Sequence, residues 1–378
     1  MNNILIMTIT GSVVILIFKI FEPITKRYFS AAWHYGVLKC VALFFCIPIG
    51  KLFSVIYSTF LPSGISRMTS SATSLMKDIG IRKNIFNSRY FNSITAEHIA
   101  AFLVGVWILG FLLLLLLHSI SYVKFRCTIM KNKSLANKRL HTIAEQYAGQ
   151  FRIKRPIRLY VNEFIDTPML IGLFSPIILL PTDKLDEQNA VHILSHELIH
   201  YKNKDLIIKI SMLFVRTFYW FNPFVYLLFK ELDKWCEYTC DEKNVLHLAH
   251  EIRKQYGRVI LDTISTMPSY GSTFASPFLL PKQKIKERLM FMINVRKMRL
   301  RTKIASAMIA VALMGFGMTT AFAADIEYNS LISQDNSSNQ TYNSNDDKYS
   351  DINLNDNLNT STMDRQEKLS EFANTNKP

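Results

Sequence analysis

The chain opens on a nearly uncharged apolar run from about residue 3 to 18, and three more such runs follow at about 36–61, 98–122 and 304–324. Each approaches or exceeds the roughly 20 residues that a helix needs to cross a bilayer core. The first run lacks a small-residue cleavage site, so an anchor is expected rather than a removed signal peptide. Lys39, Pro48 and Lys51 interrupt the second, which a kinked span tolerates when its lysines snorkel. No charge falls between Glu97 and Lys124, which makes the third run the plainest of these, and the polar stretch 62–97 before it reads as a loop.

Between the third and fourth runs the period changes. Leu140, Ile143, Ala144 and Tyr147 fall on one face of a helix expected over 135–151, and short β-like runs at 157–161, 169–173 and 176–180 predict a small sheet. Val191, Leu194, Leu198 and Tyr201 then recur at spacings of three and four, which predicts a helix ending near Asn203, with Asp205 placed to cap the next. Leu206 to Phe229 is apolar again. Lys209, Arg216 and the break at Trp220-Phe-Asn-Pro223 favour two shorter helices there over another span, with Asn222 as cap, Pro223 in the first turn and an end near Leu248.

The expected fold is thus a mainly α membrane protein of four transmembrane helices. Residues 1–122 hold three of them, 123–303 form an inserted α+β domain, 304–324 is the fourth span, and 325–378, rich in Asn, Ser and Asp, is a disordered tail. A hydrophobic fraction of 49% over 378 residues agrees with that reading. The net charge of +15 raises nucleic acid as a partner, but the basic residues are spread over loops and no nucleic-acid motif accompanies them. Membrane topology explains them better. Segment 123–303 carries 30 Lys and Arg against 16 Asp and Glu, which places it in the cytoplasm, and the tail has 4 against 10, which suits an exported segment. The N-terminus and the tail are then extracellular. Five cysteines make no secreted disulfide framework.

The chemistry lies in His196-Glu197-Leu-Ile-His200, because residues four apart share a helix face and can offer two imidazoles to one metal, with Glu197 beside the open position. A third ligand is required. Glu237 is the best candidate, and Asp241, one turn on, can hydrogen-bond a ligand imidazole. Cys236 and Cys240 stand at the same spacing and leave a site of two His and one Cys open, although two His with a carboxylate has more precedent for a hydrolytic zinc. The expected reaction is zinc-assisted peptide hydrolysis with Glu197 as general base and then acid. A strand at 169–173 or 176–180 could bind substrate by β-addition, and His192 could touch it, though His192, His247 and His250 also read as ordinary helix residues.

The ordered set His196-Glu-Leu-Ile-His200 with Asp205, Trp220-Phe-Asn-Pro223, and Glu237-Tyr-Thr-Cys240-Asp241 with Val245, within a four-span layout, resembles the BlaR/MecR-type bacterial membrane metallopeptidases, the antirepressor or β-lactam sensor-transducer peptidases. The resemblance implies a gluzincin-like domain on the cytoplasmic side, His196, His200 and Glu237 as Zn2+ ligands, and Glu197 as catalyst. It further implies signalling proteolysis of a protein substrate such as a transcriptional repressor, and cleavage of the chain itself near the basic run Arg296 to Lys303, although that run also reads as the positive-inside anchor of the fourth span. Only about 54 polar residues follow the fourth run, so the penicillin-binding sensor domain of such transducers is not expected. A housekeeping membrane peptidase and a receptor with a vestigial metal site are the competing functions, and a homo-oligomer is compatible with any of them. Intact Glu197 speaks against the receptor. Ala321-Phe-Ala323 imitates a signal-peptidase site, but the length of the fourth run favours a retained tail.

Overall fold

The computed structural model describes residues 2–48, 93–165, 167–173, 175–265, 282–295 and 297–323. Helix α1 (Asn2–Tyr28) runs well past the apolar run that predicts it, to Tyr28. Lys19 and Glu22 are no bar, because both find opposite charges on a later helix. Ser30 caps α2 (Ala31–Cys46) by accepting from the Trp33 amide, so α2 starts ahead of the expected boundary. The rest of the 36–61 run, most of the expected 62–97 loop and the expected tail lie outside the described residues. Residues 93–97 belong to helix instead, as the first turn of α3 (Ser93–Lys131), whose 39 residues continue past the expected end at 122. Together with α10 (Leu300–Ala323), three helices among the described residues are long and apolar enough to cross a membrane, over Asn3–Tyr28, His98–Lys131 and Leu300–Ala323.

After β1 (Ser134–Leu135), α4 (Lys138–Gln150) starts where the Asn137 side chain accepts from the Leu140 amide, and it buries Leu140, Ile143 and Ala144 as its periodicity predicts. Strands β2 (Arg158–Val161), β3 (Met169–Ile171) and β4 (Ile177–Leu180) complete a four-stranded sheet in the order β1-β2-β4-β3. β4 is parallel to β2 and antiparallel to β3, so both its edges are taken and all four of its residues are buried. β3 is left at the sheet edge. Gly172, at φ +89, makes the β3–β4 turn, and a Cβ there would stand 2.5 Å from the Ser175 carbonyl oxygen.

Helix α5 (Glu187–Asn203) carries the HExxH pentad and packs Ala190, Leu194 and Leu198 against α4 and the sheet. Lys204 in the left-handed region turns the chain into α6 (Asp205–Phe218). α7 (Pro223–Val245) begins as expected, with Asn222 accepting from the Phe224 amide and Pro223 in the first turn. α8 (His250–Ser265) and α9 (Lys282–Asn294) follow. A second core joins α1, α2, α6 and α7 around Val14, Phe18, Leu38, Tyr219, Leu228 and Trp235. Each such large apolar side chain contributes about 1.5–3 kcal/mol when fully buried. α7 therefore sits between this core and α5, where the two cores meet.

Candidate metal centre

Helical spacing puts His196 and His200 on the inner face of α5, and both are buried. Their Nε2 atoms approach to 3.1 Å. Glu237, from the middle of α7, closes a triangle, with Oε2 3.5 Å from His196 Nε2 and Oε1 3.6 Å from His200 Nε2. Donors at the corners of a tetrahedron with arms of about 2.0–2.1 Å stand about 3.3 Å apart, so the two nitrogens and the Glu237 carboxylate lie near the spacing of one four-coordinate ion, which such a set would leave with a position open. The remaining ring nitrogens are held from behind. His200 Nδ1 is 2.8 Å from Asp205 Oδ2, and His196 Nδ1 is 3.3 Å from Asp241 Oδ1 and 3.2 Å from the Tyr256 hydroxyl. Hydrogen bonds at Nδ1 fix the tautomer that turns the Nε2 lone pairs toward the triangle, where that of His196 meets Arg288 Nη2 at 3.3 Å.

The carboxylates around the triangle favour positive charge there, part of which Lys209, with Nζ 3.3 Å from Glu237 Oε1, and Arg288 already supply. Burial opposes charge on both imidazoles, yet Asp241 and Glu237 raise His196 above the usual histidine range, and Cys240, Glu237 and Asp205 raise His200 well above it. Burial likewise works against the Glu237 carboxylate, but His200 and Lys209 hold it well below its ordinary range. Glu197 is 8% exposed, and among the described residues its carboxylate has no ion pair or hydrogen bond.

The sequence predicts Asp205 as a helix cap. The structure corrects this, because α6 has no side-chain cap and Asp205 turns back to His200. Cys236 and Cys240 also approach His200, but from the Nδ1 side, with Sγ at 3.8 and 3.3 Å. They stand behind the ring, whereas Glu237 faces the nitrogen that meets His196. Burying His192 lowers its pKa, and its ring lies 5.0 Å from that of Tyr256.

Arg288 and Tyr256 are among the residues of the centre that carry no signal of that role in the sequence. Arg288 of α9 grips Asp241 in a fork, Nε to Oδ2 at 2.5 Å and Nη2 to Oδ1 at 2.9 Å, and brings Nη1 within 3.4 Å of Glu237. Tyr256 of α8 donates to Asp241 Oδ1 at 3.1 Å. Neither carries a local signal, because each reaches the centre only through the packing of α8 and α9 around Val245, Tyr256 and Met292.

Two histidines of an HExxH helix and a glutamate from a following helix form a group that could hold a metal ion, in a chain with helices long and apolar enough to cross a membrane. More particularly, the chain belongs to the BlaR1 peptidase M56 family, whose profile matches residues 2–292. Regulatory protein BlaR1 of Bacillus licheniformis is 31% identical over 217 residues, covering 56% of this chain and 36% of its own length. Methicillin resistance mecR1 protein of Staphylococcus aureus is 26% identical over 263 residues, or 65% of this chain and 43% of its own, and its Staphylococcus epidermidis counterpart matches equally. The chain spans less than half the length of these relatives.

Proposed function

We propose that the chain is a multi-pass membrane zinc endopeptidase of regulatory proteolysis, with His196, His200 and Glu237 as ligands and Glu197 as the proton-transferring group. The observation that carries this reading is the triangle of Nε2, Nε2 and carboxylate donors on α5 and α7. Zinc in that triangle would serve as a Lewis acid, acidifying a water and polarising the scissile carbonyl. The residues supply the rest. Glu197 takes the water proton and returns it to the leaving amine, Asp205 and Asp241 hold the imidazoles in register, and the edge of β3 that no described strand pairs offers backbone partners to an extended peptide. β4 has no such edge, since β2 and β3 flank it. Family membership and the name Regulatory protein BlaR1 support a signalling role, with a repressor-type protein or the chain itself as substrate.

Full-length protein purified in detergent is expected to hold about one zinc per chain, and His196→Ala and Glu237→Ala to lose both the metal and endopeptidase activity. Peptide hydrolysis by metal-free protein would overturn the reading.

The proposed topology puts the domain around the triangle in the cytoplasm and both termini outside, following the charge bias of 123–303. An epitope tag after Pro378 is then open to external protease in cells stripped of their wall. Protection of the tag until lysis reverses the topology, and a soluble tagged fragment starting near Ala324 shows cleavage after Ala323 in place of retention.

A further inference from the structure

The hydrogen bonds behind His200 do not end at Asp205. Asp205 is 1% exposed, and its two oxygens face different ways: Oδ2 accepts from His200 Nδ1 at 2.8 Å, and Oδ1 accepts from the Tyr35 hydroxyl, also at 2.8 Å. Tyr35 belongs to α2, far from the HExxH region in sequence, and is itself 2% exposed. A carboxylate anchored at one oxygen only can swing about its Cβ–Cγ bond, and one anchored at both presents a fixed lone pair to the imidazole. The hydroxyl is the one part of Tyr35 that a phenylalanine would not reproduce, and it meets Asp205, the group that orients a metal-facing histidine, with the Cys236 thiol beside it.

α2 is in turn held against the ligand helix. The Ala32 amide donates to Glu242 Oε2 of α7 at 3.1 Å, and the His34 ring stacks on Trp235 of α7 with centroids 3.8 Å apart and planes within 5°. The Trp33 indole donates to the Ser306 carbonyl of α10 at 2.8 Å, so α2 also bears on a candidate membrane helix. A shift of α2 relative to α6 therefore reaches His200 through two short hydrogen bonds.

We propose that Tyr35 is a positioning residue for the metal centre, acting through Asp205 on His200, so that the early helix α2 is a working part of the centre. This rests on the reading of the triangle as a metal site. Outer partners of metal-bound histidines are typically worth about 10–100-fold in affinity or activity, and Tyr35, one bond further out, is placed at about tenfold.

The test is made on the full-length chain in detergent, with Zn2+ affinity measured by competition against a chromogenic chelator and with Co2+ as a spectroscopic substitute. Tyr35→Phe, which keeps the ring and its packing, is expected to bind Zn2+ about tenfold more weakly and to shift the visible bands of the Co2+ form. Asp205→Asn should weaken binding more, and adding Tyr35→Phe to it should cost nothing further, because the two act in series. Wild-type affinity with unshifted Co2+ bands in Tyr35→Phe overturns the proposal, as do fully additive losses in the double variant. Should Asp205→Asn not fold, the Co2+ bands of Tyr35→Phe decide alone, since a loss of stability without a change in ligand geometry leaves them in place. Failure of the wild-type chain to bind either ion instead removes the metal reading itself.

Discussion

Glu197→Gln is expected to abolish peptide hydrolysis while leaving metal content near wild type. The amide matches the carboxylate in size but cannot take a proton from water at neutral pH. General acid–base catalysis contributes about 10²–10⁴-fold, so the variant should fall by at least that range. Metal content should not follow, because the donor triangle consists of His196, His200 and Glu237 and the Glu197 carboxylate bonds to none of them. The measurement is a paired assay on one preparation, zinc by elemental analysis and cleavage by mass spectrometry of a protein substrate. Undiminished cleavage would remove Glu197 from the mechanism, and joint loss of zinc and cleavage would make it a structural residue. Comparing membrane and cytosolic proteomes of cells with wild-type and Glu197→Gln protein then identifies the substrate, because a regulatory enzyme changes few proteins and a housekeeping one many.

The parts of the centre that were legible in the sequence are those whose geometry is set within one helix. His196 and His200 share a face because they are four apart on α5, and the same spacing on α7 makes Glu237 and Asp241 neighbours. The start of α7 was legible because the Asn222 side chain caps its own backbone, whereas α4 begins only at Lys138, behind the Asn137 cap, because the expected first residue, Leu135, pairs in β1. Asp205 was visible but misread. A carboxylate at the first turn of α6 is a natural cap by local chemistry, and only the left-handed turn at Lys204 aims it back at His200. Arg288, Tyr256 and Tyr35 were invisible for a different reason, since each enters the centre from another helix, and no spacing in one sequence encodes which side chain a distant helix delivers. The end of α1 belongs to the same class. Lys19 reads as the edge of an apolar span until α7 is known to supply its counter-charge.

That counter-charge leads to the second large effect. Lys19 and Glu22 of α1 meet Glu231 and Lys234 of α7 in a closed quartet: Lys19 pairs with Glu22 at 2.6 Å and with Glu231, and Lys234 pairs with Glu22 and Glu231. The carboxylate side chains are 8% and 4% exposed, so neither is solvated by bulk water. Glu231→Met leaves two lysines facing one carboxylate, and breaking a buried pair in this way costs about 3–5 kcal/mol. Lys19, at 39% exposed, can turn away, which favours the lower end of that range. A fall of about 5–10 °C in Tm in detergent is the expected reading. Replacing all four residues by methionine should recover most of it, since an apolar substitute for a complete buried network is often neutral or better. If Glu231→Met melts with the wild type, the quartet does not hold α1 to α7. If the fourfold variant melts no higher than the single one, the loss comes from packing at Glu231 and not from unpaired charge. Glu231 lies six residues before Glu237, about 9 Å along the helix, so a loosened α1–α7 contact is also expected to weaken the grip on the metal.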